Sequence, residues 1–121
     1  MRILVIDDEV SVANLLADAV AAEGHETTIA RDGQEALERL SRDRPDAVFL
    51  DVSMPGMSGI EVLRKIRATD PDLPVVVITG HADSKEIMEA RRLGVSEVIR
   101  KPHILNHLTA AFKALDARTK N

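Results

Sequence analysis

The chain has no cysteine, no tryptophan, no tyrosine and only two phenylalanines in its 121 residues. Without cysteine, disulfides and thiolate chemistry drop out. No apolar run lasts more than a few residues, far short of the ~20 that a membrane-spanning helix needs. The N-terminus lacks the pattern of a signal peptide, because Arg2 is followed directly by a short apolar run and then acids. Nor is there an excess of positive charge. The net charge of −4 argues against non-specific nucleic-acid binding, which runs on clustered cations. Arg91-Arg92 and Arg64-Lys65-Ile66-Arg67 read as solvated helix faces. What is present is 45% hydrophobic and 30% charged residues, the balance of a globular protein with one core. A cytoplasmic, single-domain protein is expected.

Short apolar runs alternate with segments of helical period, the signature of βα units around a parallel sheet. The first helix is expected to bury Val12, Leu15, Leu16, Ala19 and Val20 and to stop at Gly24. Thr27-Thr28-Ile29-Ala30 reads as a second strand. Asp32 and Glu35 then have capping-box spacing for a helix carrying Ala36, Leu37 and Leu40. Ile60, Leu63 and Ile66 form a third apolar stripe, and Pro71 and Pro74 bound the turn before the next strand. Asp83 and Glu86 repeat the capping spacing ahead of Ile87, Ala90, Leu93 and a stop at Gly94. Leu105, Leu108, Phe112 and Leu115 mark a last helix.

Polar groups stand where four apolar runs end. Ile3-Leu4-Val5-Ile6 runs into Asp7-Asp8, and Ala47-Val48-Phe49-Leu50 into Asp51. Val75-Val76-Val77-Ile78 ends in Thr79, and Val98-Ile99-Arg100 in Lys101-Pro102. A parallel sheet brings strand exits together, and open α/β sheets bind ligands outside those ends. One site of acids, a hydroxyl and an ammonium is therefore expected. Each residue alone also has an ordinary structural role. Asp8 can cap the first helix, Asp51 can bond its own loop before the Gly- and Pro-rich stretch, Thr79 can end a strand, and Lys101 can be solvated.

The set Ile3-Leu4-Val5-Ile6-Asp7-Asp8-Glu9, Asp51 with Met54-Pro55 and Met57-Ser58-Gly59, Thr79-Gly80 and Lys101-Pro102 resembles the response-regulator receiver domains of two-component phosphorelays. The resemblance covers essentially the whole of residues 1–121. It implies a five-stranded parallel sheet in order 2-1-3-4-5, flanked by five helices, the flavodoxin-like receiver fold. It also implies that Asp51 accepts a phosphoryl group from a sensor histidine kinase or histidine phosphotransfer protein.

A carboxylate attacks phosphorus only if both negative charges are offset, which calls for a divalent cation and a fixed ammonium. Asp7, Asp8 and Asp51 offer hard oxygen ligands suited to Mg²⁺, with Mn²⁺ as a substitute. By resemblance, Asp8 ligates directly, Asp7 mostly through water, and the Ser53 backbone carbonyl completes the protein's share. Lys101 holds a phosphoryl oxygen, and Thr79 donates to another and transmits the event. The resemblance further implies that Ser53 and His81 flank the path of the hydrolytic water and set the lifetime of the modified state. The domain would then catalyse its own phosphorylation and dephosphorylation and turn over no external substrate. Its signal would leave through the face of the fourth helix, fifth strand and fifth helix, toward an output partner or a second copy. His25 reads as an exposed turn residue, and His107 as lying on an outer helix face.

Two positions depart from the family pattern. Val98 stands where receivers usually carry Tyr or Phe, so the usual aromatic rotamer switch cannot operate. Either Thr79 couples to a smaller repacking around Val98, or the signal uses another surface. His103 replaces an apolar aromatic, and the Lys101-Pro102 bond is implied to be cis. The principal rival is a phosphorylation-independent interaction module. An aspartyl hydrolase of the haloacid dehalogenase type would need two acids separated by one residue near the first strand, and a flavodoxin would need a phosphate loop where Asp8-Glu9-Val10-Ser11 would repel it.

Overall fold

The computed structural model describes residues 1–52, 58–80, 84–100 and Leu115. Strands and helices alternate as β1 (Arg2–Ile6), α1 (Val10–Ala22), β2 (Glu26–Ala30), α2 (Gly33–Arg42), β3 (Ala47–Asp51), α3 (Gly59–Thr69), β4 (Val75–Thr79), α4 (Ser84–Arg92) and β5 (Glu97–Arg100). All strand pairs are parallel and the order is β2-β1-β3-β4-β5, as the resemblance implies. The expected last helix lies outside the described residues except for Leu115, which is helical and fully buried. Ser53, His81, Asp83, Lys101, Pro102, His103 and His107 also lie outside them.

Period-two alternation divides the strands between two layers. Leu4, Ile6, Val48, Leu50, Val75 and Val77 meet Ala36, Ile60, Leu63, Ile66 and Ala90 of α2, α3 and α4 on one side. Ile3, Val5, Phe49, Val76, Ile78 and Ile99 meet Ala13, Leu16 and Val20 of α1, together with Leu115, on the other. β3 and β4 are buried along their whole length, which explains why their sequences are apolar at consecutive positions rather than alternating. Each large aliphatic or aromatic side chain so buried contributes about 1.5–3 kcal/mol. The central strands are therefore a stiff support for whatever stands at their ends.

The helix stops follow the expected chemistry. Gly24 has φ +84° and Gly94 has φ +74°, the left-handed region that an L side chain rarely adopts. Around each, backbone N–H groups close onto the last turn, Gly24 to Ala21 and His25 to Val20, then Gly94 to Arg91 and Val95 to Ala90, a Schellman-type arrangement. The Asp32 carboxylate accepts the Glu35 amide at 2.8 Å, and the Glu35 carboxylate returns to the Arg31 amide at 3.3 Å.

Several expectations need correction. Leu15 is 41% exposed, because the stripe that α1 buries is Ala13, Leu16 and Val20 and Leu15 lies at its edge. Asp8 does not cap α1. The cap position belongs to Glu9, which makes no side-chain cap bond, while Oδ1 of Asp7 accepts the Glu9 amide at 2.9 Å and turns the chain into the helix. His25 is half-buried, with Nδ1 2.9 Å from the N-terminal ammonium. Arg67, read as solvated, is half-buried and fully engaged with backbone carbonyls.

Candidate functional site

The site begins with ladder register. Ile6 pairs with Leu50 across β1 and β3, so the next residue on each strand, Asp7 and Asp51, stand side by side, and alternation turns both the same way. Asp7 is fully buried and Asp51 is 1% exposed. The Asp7 amide donates to the Ala30 carbonyl at 3.1 Å and the Val52 amide to the Ile78 carbonyl at 3.1 Å. Both acids are thereby set by backbone bonds to the adjoining strands. Asp8 is the most exposed of the three. One carboxylate oxygen from each of Asp7, Asp8 and Asp51 lies within 4.8 Å of the others.

Three carboxylates this close repel one another unless a cation offsets them. Their donors are all hard oxygens, with no nitrogen or sulfur, which fits Mg²⁺ or Mn²⁺ better than a soft metal. Two oxygens on one Mg²⁺ lie at most about 4.2 Å apart, twice the usual bond length. Oxygens gathered within 4.8 Å are close enough for one ion to draw on all three carboxylates, directly or through its waters. The donor set fits the ion.

Thr79 is 1% exposed and ends β4 beside Arg100, while Val77 pairs with Val98 two residues earlier. Thr79, Val77 and Val98 thus share the face covered by α2, α3 and α4. Val98 is half-buried and packs against that cluster. A recess of about 380 Å³ opens beside Asp7 between α1 and the start of α2, lined by Val10, Ala13, Asn14, Ile29, Arg31 and others. Another, of about 300 Å³, lies at the opposite end of the sheet, around Arg2, Thr28 and Arg42; it adjoins none of the strand-exit acids.

Reading the sequence did not anticipate the role of Gly59. An added Cβ there would stand 2.2 Å from the Val52 Cα and 2.5 Å from the Asp51 carbonyl oxygen. Only glycine lets the first turn of α3 come this close to the end of β3. Ser58 accepts the Glu61 amide and caps the helix at that point. A glycine directly after a Ser with capping spacing to Glu61 was the available signal.

A doubly wound parallel sheet with an acidic trio at its strand exits defines an α/β domain with a candidate cation site at the carboxyl ends of its strands. The profile described as "Response regulator receiver domain" matches residues 3–113, and the chain belongs to that family, the receiver domains of response regulators in two-component signalling. It is 42% identical over 120 residues to response regulator MprA of Mycobacterium leprae, covering 99% of this chain and 53% of that one. The chain thus spans about half the length of such curated relatives. A CheY-like receiver domain protein of Methanospirillum hungatei superposes with a TM-score of 0.90 at 26% identity, over 98% of this chain and 96% of that one. TrrA of Thermotoga maritima, solved in complex with Mg²⁺ and BeF, superposes with a TM-score of 0.84 at 32% identity, over 94% and 97% of the two chains. Among the described residues, no helix is long and apolar enough to cross a membrane.

Proposed function

We propose that residues 1–121 form one receiver unit that accepts a phosphoryl group on Asp51 from a phosphohistidine donor, a sensor histidine kinase or a histidine phosphotransfer protein. The observation that carries this reading is the convergence of Asp7, Asp8 and Asp51 at adjacent strand exits, with their oxygens within 4.8 Å. A carboxylate oxygen of Asp51 attacks phosphorus as the P–N bond to the donor imidazole breaks. The ring nitrogen keeps the electron pair, and an acyl phosphate results. Asp8 and the Ser53 carbonyl would hold Mg²⁺ directly and Asp7 mostly through water. Bound there, the ion would supply positive charge against the phosphoryl oxygens.

The chain's other residues follow from that chemistry. Lys101 pairs with a phosphoryl oxygen as a point charge. The Thr79 hydroxyl donates to another and draws the end of β4 toward Asp51. Ser53 and His81 tune hydrolysis of the acyl phosphate. Val98 yields by a small repacking where an aromatic ring would swing. The altered face of α4 and β5, with the last helix, signals to an output partner or a second copy, in the cytoplasm. The complex of TrrA with Mg²⁺ and BeF supports a Mg²⁺-assisted phosphoryl site in this family. The constitutive docking module is not favoured, because docking alone needs no buried acid pair.

Borohydride trapping after incubation with acetyl phosphate and Mg²⁺ tests the assignment. Reduction of the acyl phosphate is expected to convert position 51 alone to homoserine in peptide mapping. Label at another acid, or none, would overturn it.

A further inference from the structure

Arg67 on α3 spends its guanidinium on four backbone carbonyls from two separate turns. Nε donates to Leu93 O at 2.6 Å and Nη2 to Gly94 O at 3.2 Å, while Nη1 donates to Asp70 O at 3.2 Å and Leu73 O at 2.7 Å. Leu93 and Gly94 directly follow α4, where carbonyls lack helical partners, and a cation suits the negative end of the helix. Asp70 and Leu73 belong to the turn that leads into β4. One side chain therefore ties the start of β4 to the start of β5. A second tie lies one turn back, where Arg64 bonds Glu89 at 3.2 Å and Arg92 bonds the same carboxylate.

The other half of α4 is held differently. Ala90 is the only buried residue of the helix, Ile87 is half-buried, and Met88 is 70% exposed. The face that α4 lays on the sheet thus offers one methyl group and part of one isoleucine. Its apolar anchorage lies beyond its C-terminal end, at Leu93 and Val95, which pack against the core. Among the described residues, buried apolar side chains are few at the N-terminal end, where Glu86 is half-buried, while Arg64 and Arg67 bond the C-terminal end, which gives a helix of uneven local stability.

We propose that Arg67 is a positioning residue that makes the C-terminal end of α4 a fixed pivot, so that the response to phosphorylation is confined to Ser84–Met88. The trigger rests on the phosphoacceptor reading above, whereas the anchorage does not. With the turns before β4 and β5 locked together, a shift at Thr79 cannot be relieved by sliding α4 as a whole. It tilts the lightly packed half, beside the strand exits, and carries Met88 with it.

Amide hydrogen exchange and ¹⁵N–¹H spectra of the full chain, with and without Mg²⁺ and beryllium fluoride, test this. In the parent, the amides of Leu93–Val95 are expected to exchange at least ten-fold more slowly than that of Met88. Beryllium fluoride should shift resonances across Ser84–Met88 and spare Gly94–Ser96. Arg67→Gln should bring the two exchange rates within about three-fold and spread the shifts past Gly94, with Arg67→Lys intermediate. Equal shifts at both ends of α4 in the parent, which needs no variant to fold, would overturn the pivot while leaving phosphorylation intact. An exchange profile unchanged in Arg67→Gln would overturn the role of Arg67. Absence of any response at Asp7, Asp51 and Thr79 would overturn the phosphoacceptor reading, and the trigger with it.

Discussion

Gly59 stands so close to Val52 that a methyl group on it would fall 2.2 Å from the Val52 Cα. Backbone cannot retreat there as a flexible side chain would, so the first turn of α3 must move away from the end of β3. Gly59→Ala is expected to cost about 1–3 kcal/mol or more, the range of overpacked sites, in urea titrations, and to weaken Mg²⁺ binding because Asp51 shifts with its strand. Gly24→Ala is the control. That position has open space around it and pays only for its left-handed backbone, about 1–2 kcal/mol, with Mg²⁺ binding unchanged.

The acidic trio predicts opposite effects of one substitution in the absence and presence of metal. Asp8→Asn removes one of three mutually repelling charges, so without Mg²⁺ the variant should melt at a higher temperature than the parent. With Mg²⁺ the order should reverse, because a ligand that binds only the native state stabilises in proportion to its affinity. Calorimetric melting of both proteins in chelator and in millimolar Mg²⁺ reads the crossing. Parallel melting shifts would contradict a shared cation site.

Acid should weaken a contact far from the site. The Arg44 guanidinium, hydrogen-bonded to the Asp70 carboxylate, holds that carboxyl below its ordinary 3.8, and Asp70 in turn raises Arg44. A carboxyl depressed in the folded state binds its proton more readily in the unfolded chain. Its stabilisation is therefore complete above the ordinary value and is lost as pH falls through the lower folded value. Arg44 is 54% and Asp70 25% exposed, so the contribution is under about 1 kcal/mol. Stability curves of the parent and Asp70→Asn should differ at pH 7 and converge below the ordinary carboxylate range.

Thr79→Ala should separate chemistry from signal. Thr79 is buried at the end of β4 on the same face as Val98, and in the proposed reaction the nucleophile is Asp51, not its hydroxyl. The variant is expected to form the Asp51 adduct within about ten-fold of the parent rate while losing most of the spectral change in α4. Loss of the adduct itself would assign Thr79 to the transfer step.

Much of this was legible in the chain because burial and polarity change abruptly at strand ends. Asp7, Asp51 and Thr79 each follow an apolar run, and each stands where that break placed it. Strand order was not readable in this way, since Val75–Ile78 and Ile3–Ile6 have no sequence mark naming their neighbours; it came from resemblance. Asp8 as a helix cap failed because Asp7, a buried acid with one oxygen to spare for a local amide, turned the chain first. Leu15 failed because a residue at the edge of a helical stripe has the same period as one inside it. Arg67 looked solvated because its partners are carbonyls, which every residue carries and no sequence pattern reveals.

The most direct measurement is intact mass after incubation with acetyl phosphate, with and without Mg²⁺, on the parent and on Asp51→Asn. A single phosphoryl adduct that needs Mg²⁺, is released by hydroxylamine and is absent from Asp51→Asn is the predicted result. An adduct that survives in Asp51→Asn or forms without the ion would contradict the site proposed here, as would no adduct even from a competent phosphohistidine donor.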